Sequence, residues 1–176
     1  MLIRVKGFTL IELLIVIAIL GILAVVVLVV MNPGERQAQA RDTGRISSVT
    51  QLGRSLQAYY STKSNYPDVG TWATELVGSG EISTFPSGTA YSYNSVSSCI
   101  TYVQPAVDGT YCYNEDQVNN LGALVFAKAE STTYRSKCTP PEEAYFVFST
   151  EDSRGGVVCS NGDPVPWTAG SMTYAP

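Results

Sequence analysis

FTLIELLIVIAILGILAVVVLVVM, residues 8–31, is the stretch on which the reading of this chain turns. Glu12 is its only charged side chain, and residues 13–31 carry no charge. At about 1.5 Å per helical residue it reaches about 36 Å, enough to cross a hydrocarbon core of about 30 Å. A buried core helix would need apolar neighbours on every side, and nothing downstream is apolar enough to wrap it. The stretch is therefore read as a membrane helix. Ahead of it, MLIRVKG carries Arg4 and Lys6 and no acid. Such a short basic head favours a cytoplasmic N-terminus, although Arg36, Arg41 and Arg45 follow the apolar run closely and weaken the charge rule.

The chain has 176 residues, with 11 Lys+Arg against 15 Asp+Glu, a net charge of −4 and no histidine. A folded portion of about 140 residues can bury a real core. The acidic balance argues against a nucleic-acid partner, which calls for a basic face. Without imidazole, the usual base for a Ser or Cys nucleophile and the usual nitrogen ligand for a metal are missing. No Gly-rich phosphate loop, nucleophile elbow or paired catalytic carboxylate stands out, so no enzyme is expected. Cys99, Cys112, Cys138 and Cys159 all lie beyond the apolar run, evenly numbered and without a C-x-x-C pair. That pattern fits structural disulfides on the outer side of the membrane better than zinc. Four cysteines allow three pairings, and sequence does not choose among them.

Pro33-Gly34 ends the apolar run and is read as a helix break, with Gly21 as a weaker point inside the membrane helix. Ile46, Val49, Leu52, Leu56 and Tyr59 then recur at three- and four-residue steps, giving an amphipathic helix that lies on a sheet. Asp42 and Arg45 can pair across one turn of it. Gly44 and Gly53 lower its helix propensity, so tertiary packing must hold it. Asn65-Tyr66-Pro67 marks its end. Beyond Asp68, strands are expected at 91–96, 111–114, 123–129 and 144–149, with turns at Asp108-Gly109 and Gly155-Gly156. Residues 68–90 read as a loop with a helical turn near Trp72–Val77, and residues 163–176 as an irregular tail. A meander of about four antiparallel strands burying one face against the helix gives an α+β class.

Glu12 is the informative residue. A carboxylate near the bilayer centre costs roughly 2.5–3.5 kcal/mol on insertion scales, and less near the edge. No basic residue lies in the segment to neutralise it. Its partner must come from another chain or from an amine made by processing.

Lys6-Gly7 followed by FTLIELLIVIAILGILA resembles the prepilin signature of type IV pilins and pseudopilins. The elements are a short basic leader, a Gly, an aromatic residue, and Thr-Leu-Ile-Glu opening an apolar helix. NPGERQAQARDTGR and LQAYYSTKSNYP also resemble the juxtamembrane region and helix end of many pilin-like proteins. The resemblance is close over residues 1–67 and architectural beyond. One departure is the proline, which in many members falls about one turn earlier, near Val29.

The resemblance implies a leader, 1–7, cut after Gly7 by a prepilin peptidase that also methylates the new amine of Phe8. Residues 8–32 would form the transmembrane and filament-core helix, 33–64 its amphipathic half, and 65–176 a β-rich head. Glu12 would pair with the Phe8 amine of a neighbouring copy. The partners implied are further copies of the chain, the peptidase, a pilus assembly ATPase and an inner-membrane platform. The precursor would sit in the cytoplasmic membrane with its head outside, and the product in an extracellular filament. Adhesion, motility and secretion are properties of whole machines of this kind. Cys138 and Cys159 resemble the C-terminal disulfide loop of many pilins, which leaves Cys99 and Cys112 as the other pair. A tight hairpin on Asp108-Gly109 would not set those two opposite each other. Because major pseudopilins can bind calcium near C-terminal loops, Glu115-Asp116, Glu142-Glu143 and Glu151-Asp152 are candidate ligands by that resemblance. They are read as solvated surface, since no loop has EF-hand-like spacing, and no cofactor is expected.

The leading expectation is a structural subunit of a type IV pilus or similar filament, with a pseudopilin of a type II secretion or competence system as the alternative. A secreted binding domain with an ordinary signal peptide, cut near Ala38-Gln39-Ala40, is a remote third. The apolar run is longer than the usual ~7–15 residues of such a region, and Glu12 is misplaced for it. A monomeric membrane-anchored enzyme has no sequence feature in its favour.

Overall fold

The structure, a computed structural model, describes residues 7–83, 89–93, 97–102, 109–116, 122–162, 164 and 172–176. Residues 1–6, with Arg4 and Lys6 of the expected leader, lie outside these, as do Asp108 and most of the tail. The chain forms two compact units, Met1–Gln37 and Ala38–Pro176.

Helix α1 spans Leu10–Met31 and buries none of its residues. It is apolar on every side, so it has no single face to turn towards a core. Among the described residues it is the one helix long and apolar enough to cross a membrane. Gly21 does not interrupt it. A glycine keeps its backbone N–H and costs only about 1 kcal/mol against alanine, too little to break a strongly helical run. The break falls instead at Asn32, which takes the left-handed conformation at φ 38°. Asn tolerates that region because its short polar side chain bonds locally. Its carbonyl accepts from Glu35 N at 3.1 Å and Arg36 N at 3.3 Å, which starts the next helix.

Helix α2 runs Pro33–Lys63. Pro33 opens it, where a missing N–H is no loss, and Gly34 follows in the first turn. Val49, Leu52, Leu56 and Tyr59 form its buried face, as the three- and four-residue spacing predicts. Gly53 sits on that face too, and a Cβ there would overlap the Phe148 ring. This glycine is therefore a packing residue rather than a simple defect in helix propensity. The helix ends at Lys63, and Ser64 turns the chain out at φ 60°. Helix α3, Trp72–Gly78, follows where a helical turn is expected.

The sheet contains β1 (Thr89–Tyr93), β2 (Ser97–Tyr102), β3 (Gly109–Glu115), β4 (Ala123–Lys128), β5 (Glu143–Ser149) and β6 (Arg154–Ser160). A short helix, α4 (Thr132–Arg135), lies between β4 and β5. The strands form one antiparallel meander in the order β1-β2-β3-β4-β5-β6. The four expected segments are β1, β3, β4 and β5, with 94–96 outside the described residues; β2 and β6 extend the sheet. Two turn expectations are corrected. Gly109 begins β3 and pairs with Tyr102, so Asp108-Gly109 is not a two-residue hairpin. Gly155 and Gly156 lie inside β6, and the chain reverses earlier, through Ser153 at φ 51°. Gly156 is in the strand because Tyr174 lies against it, where a Cβ would crowd the ring.

Along β3, β4 and β5 the sheet is buried on both faces, not on one. The face towards α2 packs Leu56, Tyr111, Tyr113, Val125, Phe146 and Phe148 with Trp72 and Leu76. The opposite face gathers Cys99, Leu124, Phe126, Val147, Val158 and Met172, with Tyr174 packed on it. This explains why ALVFA and AYFVF are unbroken apolar runs, whereas a sheet with one wet face alternates. The tail is not wholly irregular: Tyr174 bridges Val158, and Ala175 N donates to the Val157 carbonyl at 2.7 Å.

Candidate assembly site

The first site is the start of α1. Thr9 is its N-cap, and its hydroxyl accepts from Glu12 N at 3.3 Å. The same hydroxyl donates to Glu12 Oε2 at 2.7 Å, and Thr9 N donates to that oxygen at 2.9 Å. This is a reciprocal capping box, which satisfies helix N–H groups otherwise left open. The Thr-x-x-Glu spacing was the sequence signal for it. Glu12 thus has a local role as well as the intermolecular one expected of it. Only Oε2 is occupied, and among the described residues no donor reaches Oε1. Every atom of the box lies downstream of Gly7, so the expected cleavage after Gly7 would leave it intact. Phe8 is exposed, as is the whole apolar surface of α1. The site therefore combines a large apolar surface with one carboxylate that keeps a free oxygen.

The second feature fixes α2 to its sheet. Asp42 is fully buried and accepts from Arg45 Nη1 at 2.8 Å, so the pairing expected from the one-turn spacing is present. Its oxygens also accept from Glu130 N at 3.0 Å and Ser131 N at 2.8 Å. Arg45 Nη2 donates to Glu130 Oε2 at 2.9 Å, and Arg41 also pairs with Glu130. These arginines hold the Glu130 carboxyl down at about 2. Gln39 Nε2 donates to Thr133 Oγ1 at 2.7 Å nearby. Sequence spacing reveals the pair within the helix but not the loop it holds, which lies some 88 positions away.

The other end of the head is acidic. Tyr59 donates to Glu75 Oε2 at 2.6 Å, which pushes the phenol up to about 12. Glu115 is buried, not solvated: Val69 N donates to its Oε1 at 3.3 Å, while Oε2 has no partner among the described residues. Burial raises its carboxyl, and the neighbouring Asp68, Glu75 and Asp116 add to this by repulsion. Burial also raises Glu151, with Asp116 and Asp152 beside it. Glu143 pairs with Lys128, and Glu142 is exposed. Among the described residues, no group of three or more His, Cys, Asp or Glu side chains could hold a metal ion.

The structure pairs Cys99 with Cys112 and Cys138 with Cys159. The first pair stands directly opposite across β2 and β3, because the longer connection shifts the register from that of a tight hairpin. The second links the segment after α4 to β6.

Residues 3–28 match the family model described as the prokaryotic N-terminal methylation motif, the prepilin signature. Comparison with curated proteins and with solved structures returned no match.

Proposed function

From the prepilin signature that this chain carries, we propose that it is a structural subunit of a type IV pilus or similar extracellular filament, built by helical polymerisation. The observation that carries the reading is the start of α1: a carboxylate with one free oxygen in a helix that its own chain leaves uncovered. In a bilayer, lipid covers that helix. In a filament, neighbouring α1 helices cover it, through a head-to-tail contact that does not close on itself. Cleavage after Gly7 would free the Phe8 amine, ordinarily titrating near ~8 and so mostly charged at neutral pH. An amine from one copy and Glu12 of the next would then neutralise each other away from water. Either charge alone would be penalised there, so the pair selects axial register more than it adds stability.

Loss of Arg4 and Lys6 leaves nine basic against fifteen acidic side chains, and this charge favours a soluble outer surface. Two disulfides in the head suit life outside the cytoplasm. The pseudopilin alternative shares all of this chemistry and differs in whether the polymer leaves the cell.

The test is the intact mass and N-terminal peptide map of the chain from its native cells, before and after shearing. A sheared fraction starting at Phe8 with one extra methyl supports the pilus subunit. The same N-terminus confined to membranes supports the pseudopilin. A start after Ala40 overturns both. Glu12→Ala should leave processing intact and cut filament yield, whereas Gly7→Val should block cleavage. Abundant filaments from Glu12→Ala would remove the charge pair from the mechanism.

A further inference from the structure

The filament reading leaves open how heads meet, and the charge distribution of the head bears on this. Between residues 38 and 63, α2 carries four basic side chains and one acid, whereas residues 64–176 carry four basic and twelve acidic ones. Arg41 and Arg45 are engaged within the chain by Asp42 and Glu130. Arg54 differs. It is exposed, and among the described residues no ion pair or hydrogen bond reaches it. It stands with the exposed Ser47 and Gln51 on the side of α2 turned away from the sheet. There it lines an open cleft of about 480 Å³, formed by small side chains of α2 and by Glu81.

The opposite charge is concentrated at the end of the head where α2 finishes. Val69 N reaches Glu115 there and Tyr59 reaches Glu75; Asp68, Glu75 and Asp116 act on Glu115, and Asp116 and Asp152 act on Glu151. These groups come from the loop before α3, from α3, from the end of β3 and from the β5–β6 turn. Asp68 is exposed, and among the described residues no ion pair or side-chain hydrogen bond involves its carboxylate; its carbonyl accepts from Thr71 N at 3.0 Å.

We propose that the face of α2 around Arg54 is a contact surface between copies, and that it takes the carboxylate-rich end of a second head. Resting on the filament reading, this interface joins unlike surfaces and therefore propagates instead of closing. The small side chains flanking Arg54 leave room for a second backbone to approach. A nucleic acid or an anionic lipid surface is a poor occupant, because a unit with thirteen acids and eight bases repels a polyanion. A carboxylate cluster of limited size that meets Arg54 at short range does not suffer this. Complementary charge at such a contact chiefly selects register and partner.

The experiment uses the full chain in its native cells. Arg54→Glu should lower sheared filament at least tenfold, while the membrane-bound chain starting at Phe8, with both disulfides, stays at the wild-type level. In filaments of Arg54→Lys, carbodiimide should couple position 54 to Asp68, Asp116 or Glu151, and this coupling should vanish in detergent-dissociated subunits. Wild-type filament yield from Arg54→Glu overturns the proposal. So does coupling that is absent from filaments or unchanged on dissociation. If the wild-type chain is processed at Phe8 yet never sheds a filament, the filament reading fails and the interface falls with it. A defect in the proposal alone leaves wild-type filaments in place.

Discussion

Asp42 shows how much one side chain can fix. Its carboxylate is fully buried and serves two backbone N–H groups from the loop at 130–131 as well as the Arg45 guanidinium. Asp42→Ala should therefore cost about 3 kcal/mol, since it leaves two buried N–H donors unsatisfied and Arg45 with Glu130 as its remaining carboxylate. Chemical denaturation of the wild type and the variant reads this directly. Two glutamates give opposite pH signatures. Arg41 and Arg45 hold Glu130 down at about 2, so its contribution is present above the ordinary carboxylate range, near ~4.3, and is lost as pH falls towards about 2. Its side chain is 37 % exposed, so salt screens part of the effect. Glu115 is raised, so its contribution is present below ~4.3 and is lost as pH climbs through the raised value. Glu130→Gln should flatten the acid limb of a stability–pH curve, and Glu115→Gln the limb above it. Unchanged limbs in both would show that neither carboxyl differs between the folded and unfolded chain.

At the scale of elements, Gly53 decides how closely α2 lies on the sheet. Gly53→Ala gains about 1 kcal/mol of helix propensity but forces the Phe148 ring aside. Overpacking costs about 1–3 kcal/mol, and contact reaching the Phe148 Cβ puts this site at the upper end. A lowered melting temperature is expected. The amphipathic spacing of α2 could be read from sequence because packing on one face imposes it residue by residue. The Thr-x-x-Glu cap was equally available in the spacing. Strand β6 was hidden because its two glycines look like a turn until Tyr174, some eighteen positions on, is known to rest against Gly156. The Arg45–Glu130 contact and the acidic end of the head were hidden for the same reason. They join segments remote in sequence, and only the register of the meander brings them together. Gly156→Val should displace Tyr174, and faster hydrogen exchange at the amides of β6 would report the loss of that cover.

At the scale of the molecule, the two compact units have different solvents. The first exposes the apolar α1, which fits insertion in a membrane. The second buries its own core and closes two disulfides. A chain starting at Ala38 should therefore fold alone, stay in solution without detergent and unfold in one cooperative transition. Reducing Cys138–Cys159 in it should cost about 3 kcal/mol on the entropic account. Scanning calorimetry with and without reductant checks both statements.

A strand with one wet side forgives changes at every second position. Along 123–127 and 144–148 this head has no such side. Saturation mutagenesis there should return uniform intolerance in place of an every-other-residue rhythm. Tolerated changes would then be concentrated in the turns and at exposed positions outside the sheet.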